Sequence, residues 1–176
     1  MFNFMLKYHF RFLLLFFFTF ILILTSRAQI VKKSDLSIFQ LTETIDTLIT
    51  GIKDIKKELL FDQQQMISYT FSNSKFEFAG YVPQNVDLLA YNGVLAGFAF
   101  KITSFEGQQK VASYLSLKYK GLEAGEANWE TNYKYSNRRL ALEMQSITED
   151  QFKKGANGYL SIKRADFAKA YDALKK

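Results

Sequence analysis

Cysteine is absent from this chain, and its only histidine, His9, lies near the start. These two gaps exclude more chemistry than any motif present. Without cysteine there are no disulfides, no thiol redox work and no Cys-His nucleophile. Beyond His9 there is no imidazole for a Ser-His-Asp triad or for zinc sites built from nitrogen and sulfur ligands. Proline occurs once, at Pro83, and there is no Pro/Gly-rich linker, internal repeat or low-complexity tract. There is also no glycine-rich phosphate loop and no Asn-x-Ser/Thr sequon. These absences fit a single domain without nucleotide chemistry.

The strongest positive signal is FLLLFFFTFILILTSRAQ at 12–29. Its apolar run, Phe12 to Leu24, is shorter than the roughly 20 residues a spanning helix needs. Lys7, His9 and Arg11 precede it as a basic region. Ser26 and Ala28 sit at the third and first positions before a cut. The expectation is a secretory signal peptide over 1–28, cleaved to leave Gln29. An uncleaved tilted anchor is the competing reading, disfavoured by the short run. No cysteine follows the run, so a lipoprotein is excluded. The expected destination is secreted or periplasmic, with membrane contact only before cleavage.

Removing the leader takes away Lys7, Arg11 and Arg27 and no acid, so the formal charge drops from +6 to +3. Nucleic-acid binding is therefore not expected. Residues 29–176 suit one domain with a full core.

The expected fold class is α+β: an N-terminal amphipathic helix on an antiparallel β-meander of about 5–7 strands, with a short C-terminal helix. Ile38, Leu41, Ile45, Leu48, Ile52, Ile55 and Leu59 recur at spacings of three and four, which predicts a helix over 34–60. As a narrow seam this stripe would dimerise; widened by Phe39, Ile49 and Leu60, it better suits a helix on the protein's own sheet. Residues 66–163 read as mainly antiparallel strands. One hairpin is expected to turn at Gly107-Gln108, pairing Phe100 with Leu115 and Phe98 with Leu117. A second turns at Asn137-Arg138, pairing Tyr135 with Leu140 and Tyr133 with Leu142. Residues 66–71 and 75–79 suggest another hairpin around SNS. Pro83 to Tyr91 reads as a short helix, Thr148-x-x-Gln151 as a capping box, Tyr159 to Lys163 as a strand and 165–175 as the final helix.

Candidate chemistry is sparse. Ser72-Asn73-Ser74-Lys75 matches S-x-x-K, but in a turn and without the companion motifs of penicillin-binding enzymes. Glu123, Glu126, Glu130 and Glu143 lie near Trp129; Glu130 with Glu143 is the pair to consider for glycan hydrolysis, and Glu123 with Glu126 for calcium. Surface acids are the ordinary explanation. Trp129, Tyr133 and Tyr135 share the apolar side of the period-2 pattern, which places them in the core or lining a pocket.

The leading expectation is a non-catalytic exported domain that binds an apolar, lipid-like small molecule or, through the Ile38–Leu59 stripe, a protein partner. No cofactor or metal is expected. The alternative is a carboxylate-dependent, glycan-active enzyme.

Overall fold

A computed structural model describes residues 33–127 and 130–175. The signal peptide expected over 1–28 and Trp129 lie outside the described residues. Within them the chain forms β1 (Ser34–Asp35), α1 (Ile45–Ile49), β2 (Lys56–Leu60), β3 (Gln63–Ser72), β4 (Phe76–Glu77) and β5 (Asn85–Tyr91). It continues through β6 (Val94–Ile102), α2 (Phe105–Lys118), β7 (Glu123–Ala127), β8 (Glu130–Ser136), β9 (Leu140–Ile147), α3 (Glu149–Lys153), β10 (Gly158–Arg164) and α4 (Ala165–Leu174).

Eight strands make one antiparallel sheet in the order β2-β3-β5-β6-β10-β9-β8-β7. Along the chain this is a four-stranded meander, the helix α2, and a second meander that begins at the far edge and works back to β6. The result is mostly antiparallel sheet with helices, compatible with the α+β class and wider than the expected 5–7 strands.

Two adjacent rows across the sheet show what decides its faces. Tyr69, Leu88, Phe98, Ile162, Leu142 and Tyr135 are successive register partners from β3 to β8. One residue along each strand, the row is Thr70, Asp87, Ala99, Ser161, Glu143 and Lys134. Side chains alternate between faces along a strand, so the first row builds an apolar face and the second a polar one. On the apolar face Val111 and Leu115 of α2 join Phe98, Phe100, Leu142 and Leu160 in the main core. The opposite face is covered at one end by α4, whose Phe167 packs with Met66, Leu89 and Ala96.

Helix α2 replaces the expected hairpin at Gly107-Gln108. Ser104 Oγ accepts from the Gly107 N–H at 3.1 Å, capping the helix. Glu106 in the first turn and Lys118 in the last suit the helix dipole. Val111 and Leu115, one turn apart, reach the sheet. Gly107 is where the helix meets Tyr81, and a Cβ there would collide with that ring.

The helix expected over 34–60 does not form. Leu41, Gly51 and Asp54 adopt φ of 61°, 79° and 54°, which no right-handed helix accommodates. The segment is instead a strap over the apolar face: β1, a 3₁₀ turn at Leu36–Ile38, then α1, followed by the edge strand β2. Leu36, Leu41 and Ile45 reach the core from successive turns of this strap.

The helix expected over Pro83 to Tyr91 is likewise replaced by a strand, β5, which begins at Asn85. Val86, Leu88 and Ala90 fall on the core face, and β5 sits between β3 and β6. Residues 66–71 lie within β3, but β4 pairs with β1 in parallel rather than with β3. The β8–β9 hairpin forms on the expected faces with its register moved by two residues, Tyr135 opposite Leu142. The loop is longer because the Asn137 side-chain oxygen accepts from the N–H groups of Arg139 and Leu140 at 2.8 and 2.9 Å. The Thr148 cap, β10 and the C-terminal helix form where expected.

Candidate binding pocket beneath the strap

The pairing of Phe98 with Ile162 at the centre of the sheet places two large side chains under the strap. Leu36, Phe39 and Leu41 from the strap and Leu140 from the start of β9 complete an apolar pocket of about 290 Å³. Leu36, Leu41, Phe98 and Ile162 belong to the core cluster itself, so the floor of the pocket is the edge of the core.

Its polar lining comes from the C-terminal end of α2 and the β8–β9 loop, with Lys118, Tyr119, Asn137 and Arg139, and from Ser37 and Gln40 of the strap. No acidic residue lines it. Lys118 Nζ donates to the Ser37 carbonyl at 2.6 Å and to the Tyr114 hydroxyl. An ammonium has three donors, so one remains for a ligand. The Tyr119 ring packs against Tyr135, centroids 5.1 Å apart. Burial first, then the neighbouring Tyr114 and Tyr135 hydroxyls, pushes the Tyr119 phenol up to about 12. It therefore stays protonated and able to donate across the physiological range.

A larger groove, about 490 Å³, lies on the other face beside the end of α4. Its lining mixes Glu123, Glu143 and Asp172 with Lys120 and Lys134. Glu143 and Lys134 are direct register partners there, so the charges largely answer one another. This groove offers neither an apolar floor nor one sign of charge.

The residues singled out by sequence scatter. Leu41 lines the apolar pocket. Ile45 is buried in the core, while Leu48, Ile52 and Ile55 pack partly against it. Ile38 is 73% exposed and Leu59 is 49% exposed on β2. They form no common seam along one helix. Tyr133 and Tyr135 do share the core face, packed partly against it.

Other candidates separate too. Glu130 pairs with Ile147, whereas Glu143 pairs with Lys134, four residues further along β8. At about 3.3 Å per residue this is some 13 Å of strand, too far for a hydrolytic pair. Glu123 and Glu126, three apart on β7, fall on opposite faces. Lys75 Nζ donates to the Leu48 and Thr50 carbonyls rather than to Ser72.

Sequence reasoning missed Phe98 and Ile162 as pocket residues, because Phe98 read only as a hairpin partner and Ile162 only as part of the strand Tyr159 to Lys163. It also missed Arg139, which directly follows the turn expected at Asn137-Arg138. The Asn-Arg-Arg loop was the available signal: an Asx turn holds the second arginine in place. Among the described residues no helix is long and apolar enough to cross a membrane. Comparisons with protein-family models, curated proteins and solved structures give no match.

Proposed function

We propose that this chain is an exported, non-catalytic binding domain that takes an apolar, lipid-like small molecule into the pocket beneath the strap. The observation that carries the reading is the pocket's construction. A 290 Å³ space floored by Phe98 and Ile162 is walled by four more apolar side chains, with Lys118, Tyr119, Asn137 and Arg139 on one side and Ser37 and Gln40 of the strap completing the lining. Ligand cavities share this plan of apolar walls with a few convergent polar groups. Export rests on the leader's basic start, apolar run and small-residue cut site. The strap takes the role foreseen for an N-terminal helix, covering one sheet face.

Native mass spectrometry of the protein purified from its own envelope or medium tests this. The native chain should carry extra small-molecule mass that disappears on denaturation. Leu140→Trp, which fills the pocket from β9, should remove it. Bare chain mass in both, together with no binding of any alkyl probe, would refute the reading.

A further inference from the structure

We infer that the occupant of this pocket is a single-chain anionic amphiphile, a carboxylate carried on an alkyl tail, with its head held by Lys118, Tyr119 and Arg139. The inference rests on the pocket reading above and adds the ligand's class.

Size sets the tail. About 290 Å³ stands at the small end of ligand cavities, roughly 300–1,000 Å³. That admits one chain and not a two-chain lipid. Charge sets the head. Two cationic side chains and no carboxylate line the space. The opposing contribution is the C-terminal end of α2, worth about half a negative charge, which two full positive charges outweigh. Part of that end is already answered, because the Tyr119 N–H donates to the Leu115 carbonyl at 2.8 Å.

Donor supply agrees. Lys118 keeps one N–H beyond its bonds to Ser37 and Tyr114. The Tyr119 hydroxyl and the Arg139 guanidinium form no hydrogen bond among the described residues. Asn137 grips Arg139 only by its backbone N–H, leaving the fork free. A carboxylate accepts from such a set as no alcohol or ammonium head does.

The decisive measurement is calorimetric titration of the native protein, delipidated, with decanoate, decanol and decyltrimethylammonium. Decanoate should bind at least about tenfold more tightly than decanol, and the cation no better than decanol. Arg139→Glu sits in an exposed loop and should remove decanoate's advantage over decanol. Carboxyl-labelled decanoate should also remain ionised to lower pH when bound than when free, as neighbouring cations require. Equal affinities for decanoate and decanol, unaltered by Arg139→Glu, would overturn the head-group assignment and leave the pocket standing. No binding by any of the three, or binding untouched by Leu140→Trp, would overturn the pocket reading as well.

Discussion

Gln108 stands in for a strand residue that the sheet lacks. Strand β9 extends to Ile147, while its neighbour β10 begins only at Gly158. The Gln108 amide, 4% exposed, closes the gap by donating to the Ile147 carbonyl and accepting from its N–H, both at 2.8 Å. A side-chain amide repeats the backbone's donor and acceptor, which makes it a good substitute. Gln108→Leu keeps the volume and strands both Ile147 groups. Each buried unsatisfied group costs about 1–3 kcal/mol, so urea unfolding should show a loss of roughly 2–4 kcal/mol. A change below about 0.5 kcal/mol would mean that water takes over the role. In the sequence Gln108 read as part of a polar turn, because an exposed and a buried glutamine look alike until their partner, 39 positions away, is known.

At the scale of elements, the strap and α2 explain which parts of the fold were legible. Strands β8, β9 and β10 alternate apolar and polar residues in sequence, so the pattern marked them plainly. In β6, Leu95, Ala96, Phe98, Ala99 and Phe100 are buried on both faces, which removes that contrast. With no contrast to terminate it, alternation was carried past Ser104 into residues that form α2. The opposite error affected the strap: Ile and Leu at spacings of three and four fit a helix, yet turns deliver Leu41 and Ile45 to the core as effectively. Nothing local announces positive φ at Leu41, a residue that rarely adopts it. Two substitutions separate the architectures. Ile38→Lys and Ile45→Lys would behave alike on one continuous apolar stripe. On the strap, Ile38→Lys should stay within about 0.5 kcal/mol of wild type, whereas Ile45→Lys should cost more than about 3 kcal/mol. Chemical denaturation of the pair distinguishes them.

For the whole molecule, the two sheet faces share a response to alkali. Tyr119 lies on the core side and Tyr159 on the polar face, and each phenol is pushed up to about 12, chiefly by burial. For Tyr159 the Asp87 carboxylate, then Tyr171 and Glu143, add to the effect. Unfolded tyrosines ionise near pH 10, so between roughly 10 and 12 the folded chain holds protons that the unfolded chain has lost. Their contribution to stability is complete below about pH 10 and declines as pH rises through that window. Tyrosinate absorbance should show two phenols ionising late, coincident with unfolding. Tyr119→Phe or Tyr159→Phe should each make the alkaline loss of stability shallower. Late ionisation that persists in both variants would count against these assignments.

The strand order also sets a timetable. Strand β6, complete at Ile102, finds its second neighbour only in β10, which begins at Gly158. A chain synthesised N-terminus first therefore presents β6 with one row of backbone donors and acceptors unpaired. Two strongly apolar sides accompany it while some 55 further residues emerge. Unpaired edges of this kind recruit other chains. The speed of chain synthesis, and any chaperone that meets the growing chain, then bear on yield through this single seam, and β10 is the fastener that ends the exposure.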